Sequence, residues 1–104
     1  MEGYIMNIKI NSLKFSATEQ LETFVEGKVK KLGQYYDEII GAEVFLKLEN
    51  TQDTANKVAE IRLDIPGSEL FAKKQSKSFE ESTDNAIEAI KKQMTRYKKK
   101  RKRA

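Results

Sequence analysis

The stretch AEVFLKLENTQDTANKVAEIRLDIPGSELFAKK, residues 42–74, decides the fold. Ala42, Val44, Leu46 and Leu48 alternate with Glu43, Phe45, Lys47 and Glu49, the period of a half-buried strand. The polar run NTQDTAN, residues 50–56, carries turn chemistry. Beyond it Ala59, Ile61, Leu63 and Ile65 alternate with Glu60, Arg62 and Asp64, predicting a second strand antiparallel to the first. Pro66-Gly67 makes a tight turn into SELFAKK, where Leu70 and Ala72 point inward in a third strand of weaker pattern. Three strands in succession leave one apolar sheet face that other elements must cover.

The flanking segments supply that cover. Met6, Ile8 and Ile10 alternate with Asn7 and Lys9, predicting an N-terminal strand. SATEQLETFVEGKVKKLGQYYDEI, residues 16–39, offers Ser16 with Glu19 in capping-box spacing, or Thr18 as the cap. Leu21, Phe24, Val25, Val29, Leu32 and Tyr36 then follow at helical intervals, with Gly27 weakening the interior and Gly33 making an irregular last turn expected. A second helix opens at Ser78 with Glu81 three residues on, another capping-box spacing. It lines Phe79, Thr83, Ala86, Ile87, Ile90, Met94 and Tyr97 on one stripe. The predicted class is α+β, in the order β-α-β-β-β-α. The four-stranded mixed sheet has its first two strands joined by a helical crossover and both helices packed on one face.

With 104 residues the chain has room for one domain, expected over residues 1–104, with a core of about 6–97 and a basic extension over 98–104. MNIKI begins a strand cleanly at Met6, so MEGYI reads as an upstream start or an added remnant. The absence of Cys and His removes disulfides, thiol nucleophiles, most zinc sites and histidine acid–base chemistry. Glycine-rich phosphate loops, nucleophile elbows and metal-ligand spacings are also missing, so no catalytic, cofactor or metal site is expected. Glu43, Glu49, Glu60, Asp64 and Glu69 are expected on the open sheet face as solvating charge, making that face acidic. No apolar run reaches the roughly 18 residues of a membrane span, and the N-terminus lacks a signal-peptide pattern. A cytoplasmic, non-membrane protein is the expectation.

Charge is strongly polarised. Residues 1–90 hold all 16 acids and 11 bases, whereas residues 91–104, KKQMTRYKKKRKRA, hold nine bases and no acid. At 100° per residue from Ile90, the apolar stripe of the second helix spans about −40° to +60°. Lys92, Arg96, Lys99 and Arg103 then form an outward row near 180° to 240°, and Lys91, Lys98 and Lys102 a second row near 80° to 120°. On the first helix Phe24, Lys28, Lys31 and Tyr35 share the edge of the apolar stripe. Lysines interleaved with aromatics suit a phosphate backbone with exposed bases. The plainer reading makes Phe24 and Tyr35 the edge of the core, and Glu26–Lys30 and Glu88–Lys92 ordinary helical ion pairs. Repulsion among the terminal bases makes the residues beyond Tyr97 expected to order fully only against a polyanion.

FVEGKVKKLGQYYDEIIGAEVFLKLE (24–49), AEIRLDIPGSELFA (59–72) and STDNAIEAIKKQMTRYKKK (82–100), in that order, resemble the ribosome hibernation promoting factor family, which includes protein Y. The similarity extends from Met6 to about Arg101, and its most specific parts are KL-QYYD and D-AI-----Q-T-YK. The resemblance implies a domain shaped like double-stranded RNA-binding domains. It also implies binding to 16S ribosomal RNA in the decoding region of the 30S subunit, which blocks translation and protects idle ribosomes when growth slows. Carried over, the matching RNA-binding positions are Lys28 and Lys31 on the first helix and Lys92, Arg96 and Lys98 on the second; the charge rows add Lys91 and Lys99, and the terminal basic run adds Lys100 and Arg101. Where family members often carry Asp-Met-Tyr, this chain has Ser78-Phe79-Glu80, and a common mid-helix basic residue is Ala89. The chain looks like a short form, a monomer off the ribosome that favours paired ribosomes with help from a modulation factor. Two other readings stand beside it: a sigma-factor modulator using Phe45 and Phe71, and a general structured-RNA-binding domain.

Overall fold

Strand alternation and helical stripe meet in a single sandwich of one sheet and two helices. The computed structural model describes the backbone of residues 6–103 and the side chains of residues 6–99. Residues 1–5 and the side chains of Lys100 and Arg101 therefore lie outside the described residues. The elements are β1 (Asn7–Leu13), α1 (Glu19–Tyr35), β2 (Gly41–Leu48), β3 (Lys57–Ile65), β4 (Ser68–Ser76) and α2 (Phe79–Arg103). The sheet order is β1-β2-β3-β4, with β1 and β2 parallel and the other pairs antiparallel, as expected for a helical crossover followed by two hairpins.

The core lies between sheet and helices. Val44, Leu46, Ile61 and Leu63 from the sheet meet Val25, Val29 and Leu32 of α1 and Ala86, Ile90 and Met94 of α2, all essentially buried. The buried stripe of α2 is the predicted one, with Phe79 and Tyr97 half-buried at its ends. Phe79 stacks on Phe15 at 4.7 Å between ring centroids, which ties the β1–α1 connection to the start of α2.

The boundaries differ from the sequence expectation where polar side chains take over the work of apolar ones. β1 continues past Ile10 to Leu13, and its Asn11 amide donates to the Glu43 carboxylate (3.1 Å) and the Val44 carbonyl (3.3 Å). β4 continues past Lys74 to Ser76, a buried inner-face serine whose hydroxyl lies 2.7 Å from that of Ser82. The hydrophobic alternation stops there, but the hydrogen-bond satisfaction does not. At α1 the cap is Thr18, whose Oγ1 accepts from the Leu21 amide at 3.1 Å, and not Ser16. Ser78 accepts from the Glu81 amide at 3.1 Å, but the reciprocal half of that capping box is absent: the Ser78 amide points to Ser76 Oγ at 3.4 Å. α1 stays regular to its end at Tyr35; a Cβ on Gly33 would come within 3.0 Å of the Met6 terminal methyl.

The open sheet face is electrically balanced, contrary to the acidic face expected. Lys9, Lys47, Arg62 and Lys73 stand against Glu43, Glu60, Asp64 and Glu69, whereas Glu49 falls in the β2–β3 connection. Register sets four of them in cross-strand contact: Glu60 receives Lys47 at 2.6 Å and Lys73 at 3.9 Å, while Arg62 lies between the Phe45 and Phe71 rings. The hydrogen bond that Lys47 donates to Glu60, against some desolvation and aided by the charges of Glu60 and Glu49, holds the Lys47 ammonium above its ordinary pKa. Val58, also on this face, is fully buried, and Gln75 beside it donates to the Ala55 carbonyl at 2.7 Å, drawing the β2–β3 loop onto that corner.

Candidate nucleic-acid interface

α2 carries the outward basic row because its apolar stripe is held by the sheet, and two polar contacts fix its rotation. Gln93 donates to the Phe71 carbonyl at 2.7 Å and accepts from the Phe71 amide at 3.3 Å. Tyr97 donates to the Pro66 carbonyl at 3.1 Å, in the β3–β4 turn where Gly67 has φ 77°. With those anchors set, Lys92, Arg96 and Lys99 are exposed, and none of the three has a carboxylate partner among the described residues. At 1.5 Å per residue the row from Lys92 to Lys99 covers about 10 Å. α2 runs unbroken to Arg103 although like-charge repulsion argues for fraying beyond Tyr97. Lys98 offsets that repulsion by reaching back to the Tyr36 ring (4.6 Å to the centroid) and to Glu38 (3.8 Å).

Of the second predicted row, Lys91 turns toward α1 and lines a groove between the helices with Lys28, Lys31, Tyr35, Asp84 and Glu88, whereas the side chain of Lys102 lies outside the described residues. Lys28 contacts Asp84 at 3.0 Å and lies over the Phe24 ring. Lys91 contacts Glu88 at 3.5 Å and lies over the Tyr35 ring, 5.3 Å from its centroid. Glu88 thus pairs one residue short of the expected Lys92, and Glu26–Lys30 does not form an ion pair. Lys31 is exposed and has no acid partner among the described residues.

Tyr35 departs from its expected place at the core edge: it is 66% exposed. α1 ends there, and the following residue, Tyr36, packs onto the core instead, while Phe24 keeps its edge position. Lys74 is absent from the sequence-derived set but borders a groove on the other flank of α2 with Asn85, Glu88, Lys92, Gln93 and Arg96. Period two along β4 already places it on the helix side with Leu70, Ala72 and Ser76. Basic side chains therefore flank α2 on both sides. Among the described residues no cluster of acids is arranged to hold a metal ion, and no helix is long and apolar enough to cross a membrane.

Known proteins share this architecture. The Coxiella burnetii ribosomal subunit interface protein superimposes with a TM-score of 0.79 at 19% identity, covering 89% of this chain and 98% of its own; this shows the shared fold. The N-terminal domain of Thermus thermophilus protein Y superimposes with a TM-score of 0.74 at 28% identity, covering 88% of this chain and 99% of its own. In sequence, the ribosome hibernation promoting factor of Escherichia coli strain K12 is 31% identical over 95 residues, 91% of this chain and 96% of that protein. Residues 8–102, nearly the whole described fold, match one family pattern, and the chain belongs to the family described as sigma 54 modulation protein / S30EA ribosomal protein.

Proposed function

We propose that this protein is a ribosome hibernation factor: it lays the outward face of α2 on 16S ribosomal RNA of the 30S subunit, occupies the decoding region, and keeps idle ribosomes from translating. The observation that carries the reading is the row Lys92, Arg96 and Lys99, exposed and without a carboxylate partner among the described residues, on a helix whose rotation is held by Gln93 and Tyr97. Family membership supplies the ribosomal context. Lys31, Lys74, Lys28, Lys91 and Lys98 flank that row, and Lys100 and Arg101 extend it in sequence. The action is steric and electrostatic, with contacts to RNA backbone and shape rather than base edges. The protein works in the cytoplasm as a monomer off the ribosome, and a modulation factor assists any ribosome pairing.

The test is sedimentation of a stationary-phase lysate together with binding to purified 30S subunits. The wild type is expected in the subunit, single-ribosome or paired-ribosome fractions. R96E with K99E is expected to weaken 30S binding more than tenfold at about 0.1 M salt while the thermal midpoint holds, since each phosphate contact steepens the salt dependence by about 0.7–0.9. Retained affinity in the folded double variant sinks the assignment of the row. A second reading follows from the family description itself, which includes sigma 54 modulation. Protein that stays at the top of the gradient and co-purifies with a sigma factor would favour it, with Phe45, Arg62 and Phe71 as the contact face.

A further inference from the structure

A helix that binds a polyanion gains nothing from acids beside its lysines, yet α2 carries Asp84 and Glu88 one turn apart; both line the groove facing α1, and Glu88 also borders the opposite groove beside Lys92 and Arg96. Each holds a lysine: Asp84 Oδ1 lies 3.0 Å from Lys28 Nζ, and Glu88 Oε2 lies 3.5 Å from Lys91 Nζ. Each of these ammonium groups also lies over a ring, Phe24 or Tyr35, 5.3 Å from the centroid. Two of the three lysines of the groove, Lys28 and Lys91, are thus clamped between a carboxylate and an aromatic face, whereas Lys31 in the groove and Lys92, Arg96 and Lys99 on the crest are not. Helix stability accounts for little of the arrangement, since it gains only the single i, i+3 pair Glu88–Lys91. Like charges at i and i+4 repel, and partly exposed ion pairs contribute little to folding.

We propose that Asp84 and Glu88 are specificity-determining residues: they offset two of the three lysine charges of the α1–α2 groove so that an arbitrary RNA duplex grips the protein only weakly there, leaving the crest row to a target that fits it. A phosphate entering the groove must displace a carboxylate from Lys28 or Lys91 and then remain beside it. That anion releases fewer counterions and meets repulsion in their place. A target whose phosphates follow the crest of α2 displaces no ion pair and meets only Glu88 at its border, so discrimination comes from repulsion built against the wrong partner. The inference rests on the RNA-binding reading above and deepens it.

The experiment compares wild type with D84N/E88Q, which keeps side-chain size and hydrogen-bonding capacity, on two probes: purified 30S subunits and a generic RNA duplex of about 16 base pairs. Duplex binding is expected to tighten about tenfold at 0.1 M salt, with a salt dependence steeper by about one to two contacts. Binding to 30S is expected to change less than threefold, so the ratio between the two targets narrows. D64N/E69Q makes the same change in net charge on the open sheet face and is expected to leave both affinities unchanged. Unchanged duplex affinity in D84N/E88Q overturns the proposal, as do equal gains on both probes or the same gain in the sheet-face control. If D84N/E88Q unfolds, E88Q alone, at a carboxylate 66% exposed, is read on the same two probes by the same criteria. Wild-type protein that fails to bind 30S at all sinks the hibernation reading by itself, whatever the variants do on duplex.

Discussion

Thr83 shows how little a helical stripe says about the chemistry of each position on it. Its spacing places it inward with Ala86, Ile87 and Ile90, and it is fully buried there, but its hydroxyl has no hydrogen-bond partner among the described residues. An unsatisfied buried hydroxyl costs about 1–3 kcal/mol in desolvation, whereas a methyl of the same shape costs nothing of the kind. T83V is therefore expected to stabilise the protein by about 1 kcal/mol, read as a higher denaturant midpoint at unchanged slope. A lower midpoint would mean that the hydroxyl is satisfied after all. Ser82, its neighbour, is the contrast: equally buried, it donates to the Lys57 carbonyl at 2.6 Å and meets Ser76, so S82V carries no such expectation of gain.

At the scale of elements, α2 and β4 are joined by a side chain that imitates a strand. Edge strands present unpaired amides and carbonyls that recruit other chains, and proteins blunt them by covering the edge. Gln93 does this at mid-strand, engaging both the amide and the carbonyl of Phe71. The glutamine and tyrosine of the sequence pattern Q-T-YK are thereby explained by docking of α2 on the sheet, through Gln93 to Phe71 and Tyr97 to Pro66, rather than by contact with RNA. Q93L is expected to lower stability by about 1–2 kcal/mol and to raise self-association at high concentration, since the edge of β4 is left open. Thermal unfolding and sedimentation read the two effects, and an unchanged monomer of full stability would mean that the Gln93 contact is incidental.

For the whole molecule the decisive quantity is the distribution of charge rather than its sum of +4. The open sheet face cancels internally, through Glu60 with Lys47 and Lys73, and so supplies little of the orienting field that an acidic face would give. The unbalanced charge lies along α2. With about six phosphate contacts, 30S affinity is expected to fall about a thousandfold between 50 and 200 mM salt. Titration of labelled protein against 30S subunits across that range checks it; affinity that barely moves would exclude a phosphate-dominated interface.

Element order, helix stripes and the outward row of α2 were legible in the sequence because each follows from a period, two or 3.6, acting on neighbouring residues. The same local rules identified Ser78 as a cap and left Thr18 as one of two options at α1. What lies between elements was not legible. Asn11, Ser76 and Gln93 extend or seal strands through partners 6 to 33 residues away, which no periodicity announces. The balance of the open face depends on cross-strand register, and a row of acids in sequence becomes a set of pairs only when strands align. Likewise, sequence showed which lysines share a helix face, but the clamping of Lys28 by Asp84, 56 positions along the chain, exists only because the sheet packs α1 against α2. Sequence alone determined where positive charge faces outward; the tertiary structure decided which of those charges are already engaged, because an ion pair depends on distance in space and the charge row only on spacing along a helix.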